Sequence, residues 1–408
     1  MKQLNRQSKI VYGLLKLFFI IDIFFIGYYQ NRFKPIGGLA TPLAIVVIVL
    51  FLLVLMTTGI SYRRVLNPPI LFWLLFGILT LVFSLILAQD RAGAINSLVI
   101  FIALVVFMMI INLIHILDGN LAFVFKVFMV LGILIALTII FFGVTRIEGV
   151  GKYFTISNHS NRNNEAIMMV FGISGILYLS SFNKLLPSIL SLLGIGVQFY
   201  AILQGGSRKG AIGVLILIVF WVIFSYRHIF NNYSPMIKLI HIIIWMGLVS
   251  ALVYYIIPWI TNSWAIDRLL NDLGANSSIE REKVQRAAVE LFESSPVFGV
   301  GFDQVRVYVG VYAHSNPIEL LADTGIIGIL LYYIPFITIY YRLIRKLIEQ
   351  KKNNIQDRES YSRIILILII FIVISVFEIE MVSCQVYMTI IMYGVVASTA
   401  YKRITTAN

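Results

Sequence analysis

The chain has 408 residues, of which 60% are hydrophobic and 12% are charged, and its mean hydropathy is +0.92. Soluble proteins carry about 25% charged residues, so the composition excludes a soluble globular protein and indicates a membrane protein. The net charge of +13 comes from basic residues scattered between apolar runs. Membrane proteins carry such an excess on the cytoplasmic side, so no nucleic-acid partner is expected. The single cysteine, Cys384, lies in an apolar run, which excludes a disulfide framework and a cysteine-based metal site.

Apolar runs recur along the whole chain. The first follows Lys2, Arg6 and Lys9 and has no small-residue cleavage site, so it predicts a membrane span rather than a signal peptide. A span needs roughly 20 mainly apolar residues, and the runs predict an all-α integral membrane protein with about twelve transmembrane helices. These helices are predicted near residues 10–29, 38–58, 69–88, 95–116, 121–142, 164–182, 185–203, 210–226, 237–258, 325–342, 363–379 and 382–401.

The positions of Lys and Arg predict the orientation. Basic residues cluster at one set of helix ends, above all over 342–363, which favours a cytoplasmic N-terminus and, with an even number of spans, a cytoplasmic C-terminus. Two sizeable segments then lie outside, 143–163 and 259–324, and loops of such length are usually functional. The predicted organisation is therefore spans 1 to 9 (residues 1–258), one large extracytoplasmic loop with short helices (residues 259–324), and spans 10 to 12 (residues 325–408).

A helix is predicted over 279–295 within this large loop. Arg281 precedes Val284 by three residues and Ala288 by seven, so it shares the apolar face of the helix. We expect that face, and Arg281 with it, to pack down on the membrane domain. Lys283 should lie on a solvated face. The apolar face consists of Val284, Ala287, Ala288, Leu291 and Phe292.

The segment SSPVFGVG at 294–301 predicts a turn. Pro296 stops the helix, and Gly299 and Gly301 permit backbone angles that other residues avoid. One interpretation is a loop that lets a ligand come close. A plain turn is the interpretation that we favour.

The stretch AHSNPIELLADTGIIG at 313–328 begins with polar residues and runs into apolar ones. Asn316 as N-cap, Pro317 at the first helical position and Glu319 three residues after the cap predict a capping box. His314 has no part in that scheme. Because a helix N-terminus disfavours a neighbouring positive charge, a histidine there should stay neutral and able to accept a proton.

The segment QGGSRKGAIG at 204–213 carries two adjacent cations between glycines, Arg208 and Lys209. These side chains could simply extend to the lipid headgroups. However, they lie on the predicted outer side, where basic residues are unfavoured. A guanidinium can also hold a phosphate with two parallel hydrogen bonds, so Arg208 is a candidate phosphate ligand, with Lys209 second.

Three motifs in this order resemble the O-antigen ligase and polymerase family of bacterial envelopes. They are SRKG after a mid-chain span, an arginine that opens a helix running to P-x-x-G-x-G, and H-S-N-x-x-x-x-L-x-x-x-G-x-x-G, all within 205–328. The resemblance implies inverting glycosyl transfer without a metal or other cofactor, at the outer face of the cytoplasmic membrane. The donor is a glycan on a polyprenyl diphosphate. The acceptor is a second lipid-linked repeat unit in the polymerases and lipid A–core in the ligases.

The resemblance also implies roles for individual residues. His314 is the catalytic histidine, and Arg208 and Arg281 bind the diphosphate. Many relatives have tryptophan where this chain has Gln285 and glutamate where it has Asp323. Beyond the bilayer and the lipid-linked oligosaccharide, which serves as donor and acceptor, the implied partners are a chain-length regulator and a flippase of the same pathway.

Several other polar residues are weaker candidates. His159 is the other histidine on the predicted outer side, and its asparagine-rich context makes Asn158, His159 and Asn161 candidate glycan-binding residues, with a plain polar loop equally favoured. Glu319 and Asp323 are second choices for the base. A role in supporting the loop and the helix cap, shared with Asn316, already accounts for both acids. The remaining histidines are expected to be structural: His115, His228 and His241.

A transporter is the alternative from another class, and Asp22, an acid well inside the first span, is its main support. The large outer loop with Arg, His and Gly motifs favours an enzyme. Between the two family activities, the character of this loop and the frequent Ile, Lys and Asn favour a polymerase of capsule or exopolysaccharide type over a ligase.

Overall fold

The chain is largely helical. Within the residues that the structure describes, seven helices are long and apolar enough to cross a membrane, and three shorter apolar helices accompany them. This confirms the helical, multi-pass membrane character, while twelve spans and their orientation stay predictions. The computed structural model describes residues 5–29, 32, 40–148, 151–158, 160–180, 185–226, 276–352, 358–378 and 387–402, together with isolated positions between 234 and 254.

The first six helices reproduce the first five predicted spans, with one short helix between them. Their ends follow the local sequence: the Asn67 side chain accepts the N–H of Ile70 at 3.1 Å, and Gly119 ends a helix in the left-handed conformation (φ 76°). The helices are α1 (Arg6–Phe24, continued by a π-helical turn at Phe25–Tyr29), α2 (Ala40–Thr58), α3 (Tyr62–Val65), α4 (Pro68–Leu87), α5 (Arg91–Asp118) and α6 (Ala122–Phe142).

The later helices overlap the remaining predicted spans except the ninth. That span, 237–258, lies largely outside the described residues. The helix predicted over 279–295 is confirmed as α10. The helices are α7 (Arg162–Leu179), α8 (Leu185–Gln204), α9 (Arg208–Trp221, continued by a π-helical turn at Val222–Tyr226), α10 (Asn276–Ser294), α11 (Val305–Val309), α12 (Asn316–Lys352), α13 (Arg358–Glu378) and α14 (Tyr387–Tyr401).

A β-hairpin departs from the all-α prediction. Strands β1 (Val144–Glu148) and β2 (Gly151–Thr155) pair antiparallel, with Arg146 opposite Tyr153. Their β-branched and aromatic residues suit a pleated strand. The hairpin occupies much of the segment 143–163, for which the sequence predicts a loop.

Close helix packing holds the centre of the molecule together. Gly132 of α6 and Gly172 of α7 meet so closely that a Cβ on Gly172 would lie 2.9 Å from the Gly132 Cα. Small residues allow such backbone approach between membrane helices. Elsewhere, the buried Trp73 of α4 donates its indole N–H to the carbonyl oxygen of Tyr332 in α12 at 3.0 Å. This bond joins α4 to the helix that begins two residues after His314.

Helix α12 contains a kink at Gly325. Its φ of 63° and ψ of −167° are not helical, and they divide α12 into a short first segment and a long one. The N–H of Ile326 donates to the carbonyl oxygen of Pro296 at 2.9 Å. The N–H of Gly301 donates to the carbonyl oxygen of Asp323, also at 2.9 Å. Hydrogen bonds from the turn after α10 therefore stabilise the kink in α12.

Candidate functional site

His314 lies on the short connection between α11 and α12. It is half-buried, and its φ of 56° places it in the left-handed region, which non-glycine residues seldom occupy. Its ring contacts that of Tyr312, with the centroids 4.2 Å apart. Unusual backbone conformations of this kind occur often at functional sites, where the surrounding structure holds them in place.

Two cations from distant parts of the chain lie near His314. Burial lowers the pKa of the imidazole, and the positive charges of Arg281 and Lys209 lower this pKa further. Arg281 belongs to α10, and Lys209 belongs to the first turn of α9. The structure thus brings three of the predicted site residues together, and the direction of the pKa shift agrees with the expectation of a neutral histidine.

Arg208 is the first residue of α9, directly before Lys209. The preceding Ser207 caps this helix, because its side-chain oxygen accepts the N–H of Gly210 at 3.2 Å. Gly206 turns the chain into the cap with a φ of 64°. The backbone of Arg208 is therefore at the same helix start as Lys209, whereas its side chain lies outside the described part of the structure.

The expectation for the surroundings of Arg281 is wrong. The apolar face of α10 packs against other parts of the chain, and its buried Ala288 belongs to a small hydrophobic cluster that includes Ala313 and Ala322. Arg281 lies two turns before Ala288, beyond that cluster, and is exposed instead of packed on the membrane domain. Lys283 is exposed, as predicted. An exposed guanidinium beside His314 is accessible to an anionic ligand.

The predicted capping box is wrong in its partners. Helix α12 begins at Asn316 itself, so that Ser315 occupies the cap position, and its carbonyl oxygen accepts the N–H of Glu319 at 2.9 Å. The Glu319 carboxylate accepts the N–H of Ala313 at 2.5 Å, on the other side of His314. Glu319 is buried and supports the backbone just before His314.

Asn316 has a different partner, which the local sequence does not predict. Its side-chain amide donates to the carboxylate of Glu378 and to the hydroxyl of Tyr333, the latter at 3.1 Å. Glu378, the last residue of α13, is buried and also accepts the hydroxyls of Tyr332, Tyr333 (2.9 Å) and Tyr393. An acid at the end of the apolar run 363–379 was the available signal for this site.

Asp323 caps α11. Its buried carboxylate accepts three backbone N–H groups, from Asp303 at 2.7 Å, Gln304 at 3.0 Å and Val305 at 3.0 Å. Acceptors at a helix start satisfy N–H groups that have no partner within the helix. The contacts of Asp323 are those of a residue that supports the loop and the helix start.

The glycines at 299 and 301 serve packing. A Cβ on Gly299 would lie 2.3 Å from the carbonyl carbon of Asp323, and one on Gly301 would lie 2.7 Å from the Ala88 Cβ. Protein atoms therefore fill the space that a ligand would need next to these glycines. The segment is a structural turn, the interpretation favoured from the sequence, and it packs against the kink of α12.

The asparagine-rich segment adjoins the start of α9. Asn158 is exposed, and Asn161 caps α7 by accepting the N–H of Asn163 at 2.9 Å. The Asn163 side-chain oxygen in turn accepts the hydroxyl of Ser207 at 2.9 Å. His159 lies outside the described residues. The candidate glycan-binding segment is thus linked by hydrogen bonds to the segment that carries Arg208 and Lys209.

The remaining polar candidates lie apart from this site. His115 is buried and its Nδ1 lies 2.6 Å from the Ser398 hydroxyl, a structural contact as expected, while His228 and His241 lie outside the described residues. Asp22 is buried, and neither carboxylate oxygen has a hydrogen-bond partner in the described part of the chain. Among the described residues, no three His, Cys, Asp or Glu side chains form a cluster suited to a metal ion.

Comparison with known proteins identifies the segment that contains the site. Residues 189–333 match the model of a family described as O-antigen ligase. No curated protein matches the chain. The match confirms the family resemblance and indicates a membrane glycan enzyme of the O-antigen ligase and polymerase type. It includes the whole region from α9 to the first segment of α12.

Proposed function

We propose that this chain with its O-antigen ligase-type region polymerises lipid-linked oligosaccharide repeat units at the outer face of the cytoplasmic membrane. The reaction is an inverting glycosyl transfer from a polyprenyl-diphosphate donor and needs no metal. His314 is the general base. Arg208 and Arg281, assisted by Lys209, bind the diphosphate.

One observation carries this proposal: His314, half-buried and held at a φ of 56° just before α12, has an imidazole whose pKa is lowered by burial and by the charges of Arg281 and Lys209. The three residues come from segments that the sequence separates by more than 30 residues each. A neutral imidazole near two cations suits a reaction in which the acceptor loses a proton while negative charge grows on the leaving group.

The chemistry follows from these properties. The acceptor hydroxyl attacks the anomeric carbon on the face opposite the diphosphate, and the bond between that carbon and the diphosphate oxygen breaks. The hydroxyl has a high pKa, so its proton passes to His314 during the attack. The cations stabilise the charge that develops on the leaving diphosphate. Once the anion is bound, its charge offsets that of the cations, and His314 accepts the proton more readily.

The test is a reconstituted reaction with purified protein and a lipid-diphosphate repeat unit. We expect a ladder of products from the native chain and none from His314→Ala, with Lys283→Ala, an exposed cation on the same α10, as the matched control. A ladder that persists with His314→Ala contradicts the catalytic assignment.

Two other outcomes distinguish the alternatives. Transfer to an added acceptor without a ladder indicates a ligase. A protein that moves lipid-linked glycan across the bilayer, loses this activity on Asp22→Asn and tolerates His314→Ala is a transporter.

A further inference from the structure

A basic cavity lies at the end of α12 that is opposite His314. Its volume is about 350 Å³, and it opens between α12 and the C-terminal end of α14. From the kink at Gly325 to Arg342 is 17 residues, or about 25 Å of helix, so this cavity is separate from the candidate active site. The residues that line it and matter here are Arg342, Arg345, Lys346, Glu349, Tyr401 and Lys402.

Positive charge in this cavity exceeds negative charge. Of the lining residues, four are cations and one is a carboxylate. The carboxylate, Glu349, pairs with Arg345 at 2.7 Å. In the part of the chain that the structure describes, no carboxylate lies within salt-bridge distance of Arg342, Lys346 or Lys402. Burial and the charge of Arg363 lower the pKa of Lys402, as expected of a site that lacks an anion.

The cations are held in place by neutral groups. The ammonium of Lys346 donates to the carbonyl oxygens of Thr399 and Lys402 at 2.6 Å each, which leaves one of its three N–H groups. The guanidinium of Arg342 lies over the ring of Tyr401, 5.1 Å from its centroid. These contacts fix the cations without neutralising them.

The surface next to the cavity suits a lipid. On α12, Tyr341 is 60% exposed, Ile344 is 46% exposed and Ile348 is 61% exposed. Acyl chains can cover such apolar side chains, while the aromatic ring and the cations lie at headgroup level. Basic pockets between membrane helices are known to hold anionic headgroups.

We propose that this cavity binds the phosphate headgroup of an anionic membrane lipid, with the acyl chains along the exposed apolar residues of α12. The proposal does not depend on the reaction at His314. Arg342 and Lys402 contact the phosphate, and the remaining N–H of Lys346 donates to it.

Lipid binding to the purified full-length chain in detergent tests this inference. Native mass spectrometry compares phosphatidylglycerol with phosphatidylcholine. The native chain should prefer phosphatidylglycerol, and Arg342→Gln/Lys402→Gln should weaken its binding roughly thirtyfold, the loss of two basic residues near an anionic group. The matched control is Lys351→Gln/Lys352→Gln. It removes two exposed charges at the same helix end that do not line the cavity, and because solvent screens exposed charges, binding should change less than about twofold.

Equal losses in both double variants mean diffuse surface attraction and overturn the proposal, as does an unchanged affinity of Arg342→Gln/Lys402→Gln. If inorganic phosphate displaces the lipid at an equal concentration, the cavity takes a free anion and the lipid assignment is wrong. Should the double variant unfold on heating earlier than the native chain, the exposed Arg342→Gln alone provides the test, with a loss of about fivefold expected.

Discussion

Asn316, two residues after His314, donates its side-chain amide to the buried carboxylate of Glu378 at the end of α13. The bond joins the start of α12 to a helix end that is 62 residues further along the chain. It fixes the backbone on one side of His314, while Glu319 holds Ala313 on the other side.

Glu378→Gln tests this positioning role. A glutamine presents one acceptor oxygen and an NH₂ group, so it cannot accept all the donors that now surround the carboxylate, which are the Asn316 amide and three tyrosine hydroxyls. A buried donor that loses its partner costs about 1–3 kcal/mol, and we expect kcat to fall about tenfold with a smaller change in KM. Steady-state kinetics on the repeat-unit substrate measure both. A rise in KM alone would contradict positioning of the base.

The pH dependence of the reaction should follow the environment of His314. Burial, Arg281 and Lys209 lower the pKa of the imidazole, so the neutral base persists below the ordinary histidine value of about 6.5. The acid limb of kcat/KM against pH should therefore lie below that value. Arg281→Gln removes one of the positive charges, which should raise this pKa and move the limb to higher pH, whereas Lys283→Gln should not.

Arg281→Lys tests the proposed contact between Arg281 and the diphosphate. Lysine keeps the positive charge but replaces a two-pronged guanidinium with a single ammonium. The loss of one fixed donor at a developing charge costs about a hundredfold in rate, and we expect a loss of that order. Product ladders and initial rates provide the measurement. Equal activity of the lysine variant would show that only charge matters at this position.

Asp323→Asn should act on stability. The three N–H groups are accepted by both carboxylate oxygens, whereas an asparagine offers one acceptor oxygen and an NH₂ group. At least one buried N–H then loses its acceptor, which costs about 1–3 kcal/mol. We expect the melting temperature in detergent to fall by several degrees. The acid limb of the rate profile should keep its position. A displaced limb with an unchanged melting temperature would point to a role for Asp323 in proton transfer.

The sequence predicts much of this architecture, because hydropathy and helix periodicity are local properties. Such a pattern predicts helix α10, and the order of the motifs predicts that Arg281, Lys209 and His314 belong to one site. The contact between Asn316 and Glu378 is not predicted in this way. The local sequence favours a capping box, and Glu378 comes close to Asn316 only when the chain folds. The exposure of Arg281 depends on where the cluster around Ala288 ends, which the periodicity of α10 does not specify.

The hydrogen bonds that fix the segment from Ala313 to Gly325 affect the energetics of substrate binding. The residues on either side of His314 are already fixed by the hydrogen bonds of Ala313 to Glu319 and of Asn316 to Glu378. The turn after α10 fixes the backbone further along, around Gly325. The conformational entropy of this segment is therefore lost during folding and not when the substrate arrives. More of the contact energy with the substrate is then left for affinity, because preorganisation lowers the entropic cost of binding.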